Sequence, residues 1–135
     1  MKRNFPLAIT AAPWALEGAP VLLCGPLSEQ FHKAQSLGYD AIELHLCTPE
    51  DAPVQQILKL SEETGVQVAA VATGLAKLVD KLCFIDDDPA VRSAAVERVK
   101  QFIDWAAAIG TGIVIGSLRG MIPDKKHREI PDERI

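Results

Sequence analysis

Three short apolar runs separated by stretches of helical spacing constrain this chain more than anything else in it: residues 41–46 (AIELHL), 66–74 (VQVAAVATG) and 112–120 (GIVIGSLRG). Each is rich in Val, Ile, Leu or Ala and finishes in polar or glycine residues. A short apolar run bounded by helical pattern is how a strand covered on both faces of a parallel sheet reads. In such sheets chemistry gathers at the carboxyl ends of the strands. The polar tails of these runs are therefore the first places to look for function.

The stretches between them complete an alternating pattern. A first strand is expected at about residues 5–10, followed by a long irregular loop punctuated by Pro13, Gly18, Pro20, Gly25 and Pro26. Ser28 suits the cap of a short helix that ends at Gly38, with Ala34 and Leu37 toward the core. Thr48, Pro49 and Pro53 open a second helix whose apolar positions are Val54, Ile57, Leu58 and Leu60, and Gly65 stops it. After a longer connection at 75–88, Asp88 suits an N-cap and Pro89 a first helical position. Val91, Ala95, Val99, Phe102, Ile103 and Ala106 then form one stripe as far as Gly110.

Alternation of strand and helix predicts an α/β fold of about four parallel βα units. An open doubly wound sheet and a piece of an eight-stranded barrel both satisfy it. A whole barrel takes about 250 residues, and 135 residues amount to about half of one. The expected organisation is a single domain over residues 1–135, with a charged tail at 123–135 (PDKKHREIPDERI) read as a solvated loop or frayed end.

Composition removes several classes of function. A net charge of -4 and an aromatic content of 5% give neither a broad basic surface nor stacking platforms, so nucleic acid is not an expected partner. No run approaches the roughly 18 apolar residues of a membrane span. Pro6, Pro13 and Glu17 break the apolar stretch that faintly imitates a secretory signal. Cys24, Cys47 and Cys83 are odd in number and widely spaced, which points to reduced thiols in a cytoplasm.

Glu43 and His45 stand two apart on a strand and share one face, while Ile42, Leu44 and Leu46 share the other. A carboxylate and an imidazole on the inner side of a sheet are costly to bury without a partner, which marks them as site candidates. Ordinary pairing of Glu43 with a cation and of His45 with its neighbours is the structural alternative. Gly116, Ser117, Leu118, Arg119 and Gly120 combine backbone freedom with a fixed charge suited to a phosphate or carboxylate, or form a plain turn. Thr73 beside Gly74 is a weaker candidate of the same kind. Gly110, Gly112 and Gly116 do not have dinucleotide-fingerprint spacing. Asp86, Asp87 and Asp88 are adjacent and cannot all converge on one ion, and no nucleophile has an evident base. His32 and His127 join no recognisable ligand set with His45.

The run LGYDAIEL at 37–44, the helix end ETG at 63–65 before VQV, and AAIG at 107–110 leading to IVIGSLRG resemble the sugar phosphate isomerase/epimerase group. These are the xylose isomerase-like TIM barrels, which also include apurinic-site endonucleases, hydroxypyruvate isomerases and inosose dehydratases. The resemblance implies the amino-terminal half of a TIM barrel. It also implies a divalent metal (Mn, Mg, Co or Zn), with proton transfer next to a carbonyl through an enediolate. In the sugar isomerases and epimerases the metal ligands and paired glutamates come mainly from the last four strands, which this chain lacks. The resemblance therefore places Glu43, His45, Thr73, Arg119 and Gly120 on the substrate-binding side and leaves the catalytic residues unassigned and the metal ligands outside the chain.

The expected function is that of a sugar phosphate isomerase/epimerase-like protein, acting on a sugar or sugar phosphate and inactive as this chain alone. A non-catalytic module binding a sugar or a protein is the alternative. A flavodoxin-like sheet is disfavoured because no phosphate-binding glycine loop follows the first strand. Exposed sheet edges and inner strand faces predict a homodimer or larger oligomer.

Overall fold

A computed structural model describes residues 5–121, so the charged segment at 123–135, including His127, lies outside the described residues. Among the described residues five strands form one parallel sheet: β1 (Ala8–Ala12), β2 (Leu23–Cys24), β3 (Ala41–His45), β4 (Gln67–Ala72) and β5 (Gly112–Val114), in the order β2-β1-β3-β4-β5. Four helices accompany it: α1 (Leu27–Ser36), α2 (Val54–Thr64), α3 (Gly74–Leu78) and α4 (Pro89–Ile109). Short 3₁₀ turns stand at Pro49–Asp51 and Gly116–Arg119.

This strand order on its own also fits an open flavodoxin-like sheet. The helices decide against that arrangement, because a doubly wound sheet is covered on both faces. Here Phe31 of α1, Ile57 and Leu60 of α2 and Phe102 of α4 share one core with Ile9, Ala11, Ile42, Leu44 and Val71, the residues of a single sheet face. The other face carries Ala8, Thr10, Ala41, Glu43, Ala70, Gly112 and Val114, none of them fully buried, and only Ala12 and Ala72 at the strand ends are covered there. A parallel sheet with one layer of helices outside and a partly open inner face is part of a barrel wall.

Strand β1 starts later than expected. Pro6 has no N–H to give, and Leu7 is occupied with Asp40, whose carboxylate accepts its N–H at 2.8 Å. The ladder thus begins at Ala8 and continues to Ala12, where β2 joins it. Strand β2 was not expected; two residues have no periodicity, and this pair is extended because the edge of β1 accepts it. Between β3 and β4 the register shifts at Ile42/Glu43, leaving Ala69 as the extra residue. Pairing resumes at Glu43 with Ala70 and runs to His45 with Ala72. Bulges of this kind re-aim side chains beside functional sites.

Helix α4 has the expected limits. The Asp88 carboxylate accepts the Ala90 N–H at 2.8 Å, Pro89 takes the first helical position, and Gly110 closes the helix at φ 73°. The inward stripe differs at one place: Ile103 is 50% exposed, and Trp105 is buried with its indole N–H donating to the Ala52 carbonyl at 2.6 Å. Leu37 and Leu58 are likewise solvent-facing, and Phe31 takes the inward role assigned to Leu37. Ser28 does not cap α1, whose N-cap is Pro26, two residues earlier. The long connection at 75–88 is not irregular throughout, since α3 occupies its first part.

Candidate functional site

The carboxyl ends of β3, β4 and β5 open into a cavity of about 560 Å³. Residues 16–21 of the β1–β2 loop cover it from one side, and Leu75 and Leu78 of α3 contribute an apolar wall on another. The polar groups come from Glu43 and His45 of β3, from Glu17 in the loop and from Ser117 of the last 3₁₀ turn.

Alternation along β3 puts Glu43 and His45 on the same side, and the two side chains meet. The His45 Nε2–H donates to Glu43 Oε1 at 3.0 Å. A carboxylate only accepts hydrogen bonds, so this contact fixes the Nε2–H tautomer in neutral His45 and leaves Nδ1 as an acceptor. The side chains retain 19% (His45) and 37% (Glu43) of their exposure, enough to reach a ligand. The second carboxylate oxygen of Glu43 and Nδ1 of His45 are thus the groups with capacity for one.

The other sequence candidates lie elsewhere. Thr73 is fully buried, and its hydroxyl faces the carbonyls of Val114 (3.2 Å) and Ile115 (3.0 Å), tying β4 to the end of β5. Arg119 sits on the exposed 3₁₀ turn, where its Nε–H donates to the Gly116 carbonyl at 3.3 Å, and it does not line the cavity. Gly120 has φ 85° and packs so closely on Ile85 and Cys83 that a Cβ there would collide with both. The structure therefore brings Glu43 and His45 together at the cavity, while Thr73, Arg119 and Gly120 are not among its lining residues. Glu17 is a cavity residue that sequence reasoning did not single out, and Ser117 lines the cavity from the glycine-flanked segment that the sequence marked. Ser117 is held by a 3.3 Å hydrogen bond to the Gly74 carbonyl.

Behind the site, a polar cluster ties the loop after β3 to α4. Arg98 donates to the Cys47 carbonyl at 2.6 Å and to the Asp80 carboxylate at 2.9 Å. The Asp51 carboxylate accepts the N–H groups of Cys47 and Thr48. Burial, reinforced by the Asp80 carboxylate, pushes the Cys47 thiol up to about 11. Cys47 therefore stays protonated and is not a nucleophile at neutral pH. Glu50 is held below the usual carboxylate range by its own backbone N–H and the Thr48 side chain.

The xylose isomerase-like TIM barrel model matches residues 31–134, which run from α1 beyond the last described residue. The chain belongs to this family. No curated protein matches it. Xylose isomerase-like barrels are generally metal-dependent and act on sugars, which fits a polar pair at the strand ends. Among the described residues, however, no group of three or more His, Cys, Asp or Glu side chains is placed to hold a metal ion. Glu43 and His45 supply two donors at most, so the described part of this xylose isomerase-like chain does not by itself fit a metal. No described helix is long and apolar enough to cross a membrane.

Proposed function

We propose that this chain is the sugar-binding part of an isomerase- or epimerase-like protein, and that its ligand, a sugar or sugar phosphate, occupies the cavity at the ends of β3–β5. The observation that carries the reading is the Glu43–His45 pair, hydrogen-bonded at 3.0 Å and facing the cavity in a chain of the xylose isomerase-like family. Glu43 accepts hydrogen bonds from sugar hydroxyls, and His45, oriented by Glu43, accepts another at Nδ1. The leucines of α3 pack against the carbon–hydrogen face of the ring and exclude water from it.

Isomerase and epimerase chemistry moves a proton on the carbon next to a carbonyl, and a divalent metal in this family stabilises the oxyanion that forms. The described residues offer the binding half of that chemistry. Turnover requires metal-binding side chains beyond them, so the described part binds without turning over. The edge of β5, unpaired among the described residues, and the partly open inner face of the sheet support association with further strands, including those of a second copy, and three free thiols support a cytoplasmic location.

Calorimetric titration with a sugar tests the reading. Glu43→Gln should weaken binding by about 1.5–3 kcal/mol, the worth of a hydrogen bond to a charged group. Unchanged affinity would remove the pair from the site.

A non-catalytic sugar-binding module is the second reading, favoured by the missing third metal donor among the described residues. It predicts binding that is indifferent to manganese, whereas the first reading predicts isomerisation once the metal-binding residues are supplied.

A further inference from the structure

We propose that Asp80 and Arg98 are positioning residues: their ion pair latches the α3 wall of the cavity onto the end of β3 and thereby sets how well the cavity holds its ligand. The ligand half of this statement rests on the reading of the cavity as a sugar site. The latch itself rests on contacts away from the Glu43–His45 pair.

Helix α3 needs a hold from outside. It has five residues, far fewer than the roughly 12–15 at which an isolated helix becomes marginally stable. Its start is anchored, since Leu75 and Ala76 are buried and Ala76 shares a small core with Leu82, Ala95 and Leu118. Its end is not, because Leu78 and Val79 are exposed apolar side chains that burial does not fix. Lys81 then takes φ 59°, in the left-handed region that a non-glycine residue keeps only where surrounding contacts enforce it.

Asp80 stands between that exposed end and Lys81 and supplies such contacts. Its Oδ2 accepts from Arg98 Nη1 at 2.9 Å and from the Cys47 thiol at 3.5 Å. The same Arg98 nitrogen donates to the Cys47 carbonyl at 2.6 Å. The three residues close a ring that joins the exit of α3, helix α4 and the residue two beyond His45. Both charged side chains are partly buried, so solvent screens the pair less than it does a surface ion pair. The opposite wall hangs on the same segment. The Trp14 indole N–H, two residues before the loop wall, donates to the Asp51 carboxylate at 3.5 Å, and that carboxylate accepts the N–H groups of Cys47 and Thr48. Both walls of the cavity are thus referenced to the loop that continues from Glu43 and His45. Releasing Asp80 frees Leu78 from the cavity while Leu75 stays in place.

Hydrogen exchange of the full chain tests the latch without any ligand, and calorimetric titration with D-fructose tests its consequence. The parent chain is compared with Asp80→Asn, which keeps the side chain's shape and removes its charge, and with Arg98→Ala and Arg98→Lys. Asp80→Asn and Arg98→Ala should speed exchange at least about tenfold at the Val79 and Leu82 amides, which donate to the Leu75 and Ala76 carbonyls, with α1 and α2 unchanged. The same variants should weaken fructose binding at least about threefold. Arg98→Lys keeps the charge without the planar fork and should recover part of both effects. A uniform rise in exchange that includes α1 and α2 would overturn the latch, because the pair would then hold the whole fold. Unchanged exchange at Val79 and Leu82 would overturn it too. Faster exchange there with fructose affinity unchanged would overturn the positioning role. Exchange that responds as expected in a parent chain that does not bind fructose would support the latch and overturn the sugar reading instead.

Discussion

The two faces of the sheet differ in kind. On the outer face Ile9, Ala11, Ile42, Leu44 and Val71 are sealed under Phe31, Ile57, Leu60 and Phe102, and nearly all of these are inaccessible to solvent. On the inner face the same strands show Ala8, Thr10, Ala41, Ala70 and Gly112, small residues interrupted by Glu43 and His45 and only partly covered, with Ala12 and Ala72 buried at the strand ends. One set of backbone hydrogen bonds serves both, so the difference lies in the side chains. The outer face stores the stability of the described unit, and the inner face holds its polar chemistry. Substitutions should separate the two cleanly.

The largest effect is expected where the outer face is densest. Phe102→Ala should cost about 3–5 kcal/mol in denaturant unfolding, from lost transfer energy and the cavity left between α4 and the sheet. That is a large share of the roughly 5–15 kcal/mol of a typical domain. A loss below about 1 kcal/mol would mean that the helix layer is not the core.

A sharper contrast uses one change at two alanines. Ala11 is fully buried on the outer face, and Ala70 is partly open on the inner face. Ala11→Leu should destabilise by about 1–3 kcal/mol through overpacking. Ala70→Leu should stay within about 0.5 kcal/mol, as an exposed substitution does. Equal costs would mean that the inner face is filled in solution, by a second copy or by further chain, and light scattering would distinguish the two.

A pH-dependent effect is expected in the loop after β3. The thiol of Cys47 ordinarily titrates near 9.0 and is pushed up to about 11 in the fold, first by burial and then by Asp80. The folded state therefore holds its proton longer than the unfolded state, and stability falls as pH rises from about 9 to about 11. Unfolding midpoints across that window should decline more gently in Cys47→Ala than in the parent chain. Parallel declines would remove Cys47 as the cause.

The outer face was also the more legible in the sequence. Helix α4 announces itself through Asp88, Pro89 and Gly110, each acting within one turn of its own position. The parity of β3, with Ile42 and Leu44 opposite Glu43 and His45, is visible because strand periodicity is local. What escaped was non-local. Strand β2 exists only because the edge of β1 receives it. Trp105 turns inward because the Ala52 carbonyl is there to accept its N–H, and Ile103 turns outward in the same helix. The cavity wall at residues 16–21 depends on how an irregular loop folds back, which no spacing rule encodes. Arg119 read as an anion anchor from its glycine-flanked setting, and whether it lies in the cavity lining, which it does not, depends on the 3₁₀ turn at Gly116–Arg119.

The central claim is that the inner-face pair Glu43–His45 forms a sugar-binding site. Amide and imidazole NMR of the chain during a titration with D-fructose tests it most directly. The account predicts shifts in the His45 ring and in the amides of Ala72, Gly74 and Ser117 around the cavity, still amides in α1 and α2, and loss of the response in Glu43→Gln. Shifts confined to the helix layer, or a His45 ring indifferent to the sugar, would contradict it.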